Sequence, residues 1–273
     1  GRGRSFRQRD LRLVVQSGAK ELVVAGTVLS DLSGSPSNLG VKRTIEGRFE
    51  ARHNGRGLRS ASQLAPKLPL QVVDAHSFIL LEGGAMQRRQ FIDWGVFHVE
   101  QDFGSVWQRM QRALKQRNHV LRHDRMDDEQ LVIWTREFVT ASDAIAQHRR
   151  SYLAELELEI ASISKYFESL GALTMEYVSG WDKKLALADV LESDIERDQR
   201  LGRTHQGSHR ADLIVKTDGV PAAERLSRGQ LKRLIYILKL AQASLHKKRT
   251  AEACVFLLDD LPAELDPCHR KQV

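Results

Sequence analysis

The chain has 273 residues, 41% of them hydrophobic, enough to bury a core in one large domain or two small ones. No apolar run reaches the roughly eighteen residues a membrane-spanning helix needs, and no basic-then-apolar signal segment opens the chain, so a cytoplasmic protein with no membrane partner is expected. Its net charge of +7 is uneven: residues 1–126 hold 21 Lys+Arg against 11 Asp+Glu, or +10, and residues 127–273 hold 21 against 24, or −3. The basic half is a candidate polyanion surface, because each neutralised phosphate releases a counterion.

The first twelve residues carry five arginines and one acid, Asp10. Short β-rich runs follow at Leu22–Leu29, Val41–Ile45 and Arg48–Arg52, separated by the Ser- and Gly-rich stretch Asp31–Asn38 and by Glu46-Gly47, and they predict an antiparallel meander. Asn54-Gly55 signals a tight turn, and Ser60–Leu68 reads as a short helix ending before Pro69. Leu70–Val73 and Phe78–Leu81 read as strands leading to Gly83-Gly84.

Beyond Gly84 the pattern is helical. Helices are predicted over Met86–Phe97, Phe103–His123 and Asp128 to about Leu170, the last two an antiparallel pair joined at Asp124–Asp127. Phe91, Trp94, Phe97 and Trp107 are candidate core residues. His119 and His123 stand four apart, but Arg117, Arg122 and Arg125 flank them, which favours a solvated basic face over a metal site. Leu173–Val178 reads as a strand, Leu185–Leu201 as a helix with an acidic face (Asp189, Glu192, Asp194, Glu196, Asp198), and Leu213–Lys216 as a strand before the turn Asp218-Gly219.

The most informative stretch runs from Leu226 to Asp266. Ser227-Arg228-Gly229-Gln230 stands at the start of a helical period in which Leu231, Leu234, Ile235, Leu238, Ala241 and Leu245 are apolar and Lys232, Arg233 and Lys239 face outward. Ser227 can cap that helix, and the free N–H groups of its first turn can face an anion. Cys254–Leu258 then reads as a strand buried on both faces, ending in Asp259 and Asp260, where carboxylates suit Mg²⁺. The two cysteines, Cys254 and Cys268, form neither a disulfide framework nor a metal spacing. No G-x-x-x-x-G-K-[ST] pattern occurs in the 273 residues; Gly40-Val41-Lys42 has the wrong spacing.

Ser-Arg-Gly-Gln, then Leu-Leu-Asp-Asp with Asp259 32 residues after Ser227, then Ala263-Glu264-Leu265-Asp266, resembles the signature motif, Walker B and D-loop of ABC-type ATPases of the SMC-like group. Gly1–Arg7, Leu80–Gly84, Arg88–His98, Ala113–Asn118 and His209–Asp212 run in the order of the RecF family within that group. The resemblance implies an α/β fold: a P-loop ABC/SMC-like ATPase head with an inserted helical lobe, lacking the N-terminal P-loop unit. It implies lobe I over 1–82, lobe II over 83–250, and a return to lobe I over 251–273.

For chemistry, the resemblance implies ATP and Mg²⁺ as cofactors. Ser227, Arg228, Gly229, Gln230, Glu264 and Asp266 would contact nucleotide across a dimer, Asp259 would hold the metal, and Asp260 would orient the attacking water. It also implies an ATP-dependent homodimer acting on gapped DNA with duplex–single-strand junctions, with RecR, RecO and RecA, in replication-linked repair and the SOS response. The alternatives are a nucleotide-independent DNA- or partner-binding remnant and another SMC-like head; the short helical insertion disfavours a long coiled coil. The family pattern is broken at Asp74-Ala75-His76, Ala85 and Ser208, each expected to loosen a turn.

Overall fold

The computed structural model describes residues 10–29, 34–123 and 128–259. They fall into two compact units. The first runs to Val73 and resumes at His246–Asp259; the second takes Asp74–Leu245. These boundaries lie between Val73 and Asp74 and between Leu245 and His246, nine and five residues before those expected from the sequence.

In the first unit β1 (Glu21–Leu29), β2 (Pro36–Thr44), β3 (Phe49–His53) and β4 (Arg56–Leu58) form an antiparallel sheet in sequence order. The expected meander is present. However, β2 begins at Pro36, inside the stretch read as a connection, because Pro36, Ser37 and Asn38 pair with Leu29, Val28 and Thr27. Asn54 (φ 48°) and Gly55 (φ 79°) turn β3 into β4 with both central residues left-handed, as a two-residue hairpin of this hand requires. A single helical turn, α1 (Ala61–Leu64), continues as a 3₁₀ turn over Ala65–Lys67. β5 (Leu70–Val73) pairs in parallel with β9 (Val255–Leu258).

β9 was expected to be buried on both faces. Instead Val255, Leu257 and Leu258 are each more than a third exposed, since among the described residues only β5 lies beside it.

The second unit is mainly helical. Phe78–Leu81, read as a strand, is helical: a 3₁₀ turn over Ala75–Phe78 runs into α2 (Ile79–Glu82). Its cause is the departure at Asp74. The Asp74 carboxylate accepts from the His76 N–H while the Ser77 hydroxyl accepts from the Asp74 N–H, a capping box that starts a helix where apolar content alone suggested a strand. The turn is thereby fastened rather than loosened.

α3 (Ala85–Val99), α4 (Phe103–Val120) and α5 (Asp128–Ile163) follow, with α4 packed along α5. Val120, Leu121 and Leu131 close the tip of that pair with Trp134 and Ile195. Of the four aromatic residues expected inside, Phe91 is buried, while Trp107 is 38% exposed. β6 (Leu173–Val178) and β7 (Asp212–Thr217) pair antiparallel, and the turn Asp218-Gly219 leads to β8 (Val220–Pro221). The predicted helix Leu185–Leu201 is two helices, α6 (Leu187–Ser193) and α7 (Ile195–Leu201), hinged at Asp194. Its acidic face is not all solvated, since Asp198 is fully buried.

After the single turn α8 (Ala222–Arg225) comes α9 (Arg228–Thr250). Leu231, Leu234, Ile235, Leu238, Ala241 and Leu245 are all buried, as the periodicity predicts. Tyr236 and Ile237 are buried too, so α9 is enclosed on more than one face. Arg233, expected to point outward, is largely covered and ion-paired with Glu168. α9 is tied to α3 by Gln242 Nε2 donating to the Phe91 carbonyl (2.8 Å) and to α5 by the Ser244 hydroxyl donating to Glu159 (2.7 Å).

Candidate functional site

Ser227 stands at the head of α9. The Ser227 N–H donates to Gln230 Oε1 (2.9 Å), the Gln230 N–H donates to Ser227 Oγ (3.4 Å), and the Leu231 N–H donates to the Ser227 carbonyl (2.8 Å). This reciprocal arrangement is a capping box with Gln230 at N3. Ser227, Arg228 and Gly229 are exposed. A Cβ on Gly229 would meet nothing within 4 Å, so the first turn opens to solvent. The N–H groups of such a turn have no intrahelical acceptor and carry the positive end of the helix dipole. Arg228 lies over the Phe78 ring (5.2 Å) and 3.6 Å from Glu82, which anchors it beside the cap.

In the first unit, Asp259 follows β9 directly, its N–H donating to the Val73 carbonyl (2.9 Å). The parallel pair β5–β9 thus delivers a half-buried carboxylate to the C-terminal ends of its strands. Ligands of open α/β sheets gather at such ends. Asp260, Glu264 and Asp266 lie outside the described residues, as does Cys268.

Sequence reasoning missed a set of inward-facing arginines that shape residues 202–212. Arg149 pairs bidentately with Asp93 (2.8 and 2.9 Å) and donates to the Ser208 carbonyl (2.8 Å). Arg88 does the same with Asp212 (2.7 and 2.9 Å), and Arg89 donates to the Ala211 carbonyl (2.6 Å). Arg117, fully buried, donates to Asp198 (2.6 Å), to Thr204 Oγ1 (2.5 Å) and to Thr135 Oγ1 (3.0 Å). Asp198 also accepts from the ring and N–H of His205. Ser208, a departure from the family pattern, is buried with its hydroxyl 3.0 Å from that of Ser142, so this position too is packed rather than loose. No local signal reveals the arginine–aspartate pairs, because their partners lie 56 to 124 residues apart.

Titration follows this geometry. Burial pushes the His209 imidazole down to about 4, against the Thr204 carbonyl that its Nε2 contacts at 3.1 Å. For Asp212, partial burial opposes ionisation, but the Arg88 guanidinium and the Leu213 N–H hold its carboxyl below the usual range. Burial raises the Tyr152 phenol, packed so closely on Gly95 that a Cβ there would lie 2.1 Å from its hydroxyl. His119 and His123 meet edge to face at 4.4 Å, with His123 Nδ1 2.8 Å from the His119 carbonyl. One group of three metal-capable donors occurs among the described residues: Glu100, Asp102 and His148, within 4.8 Å of one another.

No protein-family model matches the chain. The DNA replication and repair protein RecF of Pseudomonas paraeruginosa is 47% identical over 270 residues, covering 99% of this chain and 73% of that protein. RecF of Azotobacter vinelandii is 45% identical over 271 residues, covering 99% and 74%. Among solved structures, the recombination mediator protein RecF with ATP, of the RecFOR pathway, superposes with a TM-score of 0.88 at 22% identity, covering 98% of this chain and 75% of that one. This last likeness shows that the chain shares the fold of that protein. Identity near one half over almost the whole chain shows the family: the chain is a member of the RecF family of DNA replication and repair proteins.

Proposed function

We propose that the chain belongs to an ATP- and Mg²⁺-dependent DNA-binding ATPase that closes as a homodimer on gapped DNA and works with RecR, RecO and RecA in recombinational repair and SOS induction. The observation that carries this reading is the capped, solvent-open start of α9. Ser227 Oγ and the N–H groups of Arg228 and Gly229 fit an anion arriving from outside the unit, as the γ-phosphate of a nucleotide held by a second subunit would. Gln230 holds the serine in place, and Arg228 adds positive charge. Bound nucleotide would supply the phosphoanhydride whose hydrolysis opens the dimer. Asp259 would hold Mg²⁺, and Asp260 would orient water; its arm is shorter than that of glutamate, which suits slow turnover. Glu264 and Asp266 would complete the contact between subunits. The relatives named RecF and the ATP-bound RecF of like fold support this assignment.

Because the 273 residues contain no G-x-x-x-x-G-K-[ST] loop, the chain alone should bind ATP weakly. That favours, for this polypeptide by itself, nucleotide-independent DNA or partner binding. The roles separate in a protein bearing such a loop upstream. Asp259→Asn should weaken Mg²⁺-dependent ATP binding; Asp260→Asn should keep binding and slow turnover; Ser227→Arg should keep binding and abolish ATP-driven dimerisation in sedimentation. A Ser227→Arg protein that still dimerises with ATP would refute the role given to α9.

A further inference from the structure

Helix α4 and the three residues after it, Phe103–His123, contain five Lys or Arg and no Asp or Glu. Arg117 is spent inside on Asp198. Arg112, Lys115, His119 and Arg122 recur at spacings of three, four and three, which places them on one face of the helix, and all four are exposed. Arg109 is exposed one turn earlier and pairs with Glu137 (3.1 Å). At the other end the row meets a depression of about 590 Å³ whose described lining is Leu121, Arg122, His123, Gln199, Arg200, Leu201 and Gly202, with no carboxylate among these residues. The α7 acid closest in sequence to Gln199, Asp198, is turned inward to Arg117 and His205. Arg122 is fixed there by its Nε donating to the Gly202 carbonyl (3.0 Å), leaving its remaining guanidinium donors to a ligand.

We infer that this face of α4, with the arginine-lined depression at its end, is the surface that follows the phosphate backbone of duplex DNA. The inference rests on the proposed DNA-binding function and gives it a location. From Arg112 to Arg122 the helix rises about 15 Å, which matches about four phosphates at the spacing of one strand. The row holds no acid and α4 itself contains none, so binding through it should be salt-sensitive and, resting on phosphate contacts, sequence-tolerant.

The test uses the 273-residue chain and a 30-base-pair duplex, with affinity read by fluorescence anisotropy over a range of salt concentrations. The triple variant Arg112→Gln/Lys115→Gln/Arg122→Gln should lower the slope of log affinity against log salt by about 2.7, or about 0.9 per lost cation. Since Arg122 also holds Gly202, the double variant Arg112→Gln/Lys115→Gln keeps the test independent of that contact and should lower the slope by about 1.8. The charge-matched control Lys165→Gln/Lys183→Gln/Lys184→Gln, exposed elsewhere on the same unit, should leave the slope near the parent value. A parent that binds duplex while the α4 variants keep its slope, or a control that falls as far as the triple, overturns the location only. A folded parent that binds no duplex even at low salt overturns the DNA-binding reading and this inference with it.

Discussion

In the first unit the outer strand β1 leaves Val23, Val24 and Leu29 each more than half exposed, whereas in the second unit Arg117 and Arg149 are as buried as Leu234. Residue type alone would reverse that order. Burial of a cation is tolerated when its partners are fixed: Arg117 has Asp198 and two threonine hydroxyls, and Arg149 has both Asp93 oxygens and a carbonyl. Part of the basic excess of residues 1–126, namely Arg88, Arg89 and Arg117, therefore holds residues 202–212 in shape and is withheld from a polyanion, whereas the α4 row is exposed, as are Arg52, Arg56, Arg59 and Lys67 of the first unit.

The largest expected effect breaks the inward population. Asp198→Asn keeps the shape and strands the Arg117 charge in the interior, which should cost about 3–5 kcal/mol. All four tryptophans, Trp94, Trp107, Trp134 and Trp181, lie in the second unit, so urea unfolding followed by fluorescence reports that unit. A loss below about 1 kcal/mol would mean that the pair is not what holds the 202–212 segment. Leu234→Ala, on the enclosed side of α9, should cost about 2–5 kcal/mol by the same measurement. Val24→Ala on exposed β1 should stay within about 0.5 kcal/mol by circular dichroism. Equal costs at the two positions would erase the contrast between the units.

The pH dependence sharpens the same contrast. His209 titrates near 4 in the folded protein and near 6.5 when unfolded, so above about pH 6.5 it is neutral in both states and has no effect. As pH falls from about 6.5 towards 4 the unfolded chain takes up the proton first, and stability should drop by roughly 2–3 kcal/mol through this group. His209→Gln should flatten the melting temperature over that window, leaving only the carboxylate losses at lower pH. An unchanged slope would place His209 in solvent contact, contrary to its packing against Phe138 at 5.6 Å.

Much of this was legible in the sequence, and the failures share a cause. The α9 stripe, the Asn54-Gly55 and Asp218-Gly219 turns and the meander follow from local periodicity and turn chemistry, and the structure contains each of them. Phe78–Leu81 was misread because four apolar-rich residues fit either period, and the deciding feature was the Asp74–Ser77 cap a turn upstream. The inward turn of Asp198 depends on Arg117, 81 residues away. At the candidate site, Ser227, Gly229 and Gln230 were legible as a cap because a capping box is local, and the structure resolves it bond by bond. Asp259 was legible as the end of an apolar strand, but the openness of β9 was not, since exposure depends on which strands lie beside it.

The most local effect separates the two uses of Ser227. Ser227→Ala removes the hydroxyl that accepts from Gln230 N–H, and at an exposed cap this should cost about 1 kcal/mol. Amide exchange should show the loss confined to the first turn of α9, because Leu234, Ile235 and Leu238 keep the rest enclosed. Ser227→Asp, in contrast, is as good a cap as serine and favours the helix dipole, so stability should stay near the parent value. Yet it places a negative charge where the proposed function needs an incoming phosphate to bind. In a protein with the upstream nucleotide loop, Ser227→Asp should therefore be stable and fail to dimerise with ATP, whereas Ser227→Ala should be slightly unstable and dimerise weakly. If both variants dimerise like the parent, Ser227 is a cap and nothing more, and the open first turn of α9 does not meet the nucleotide.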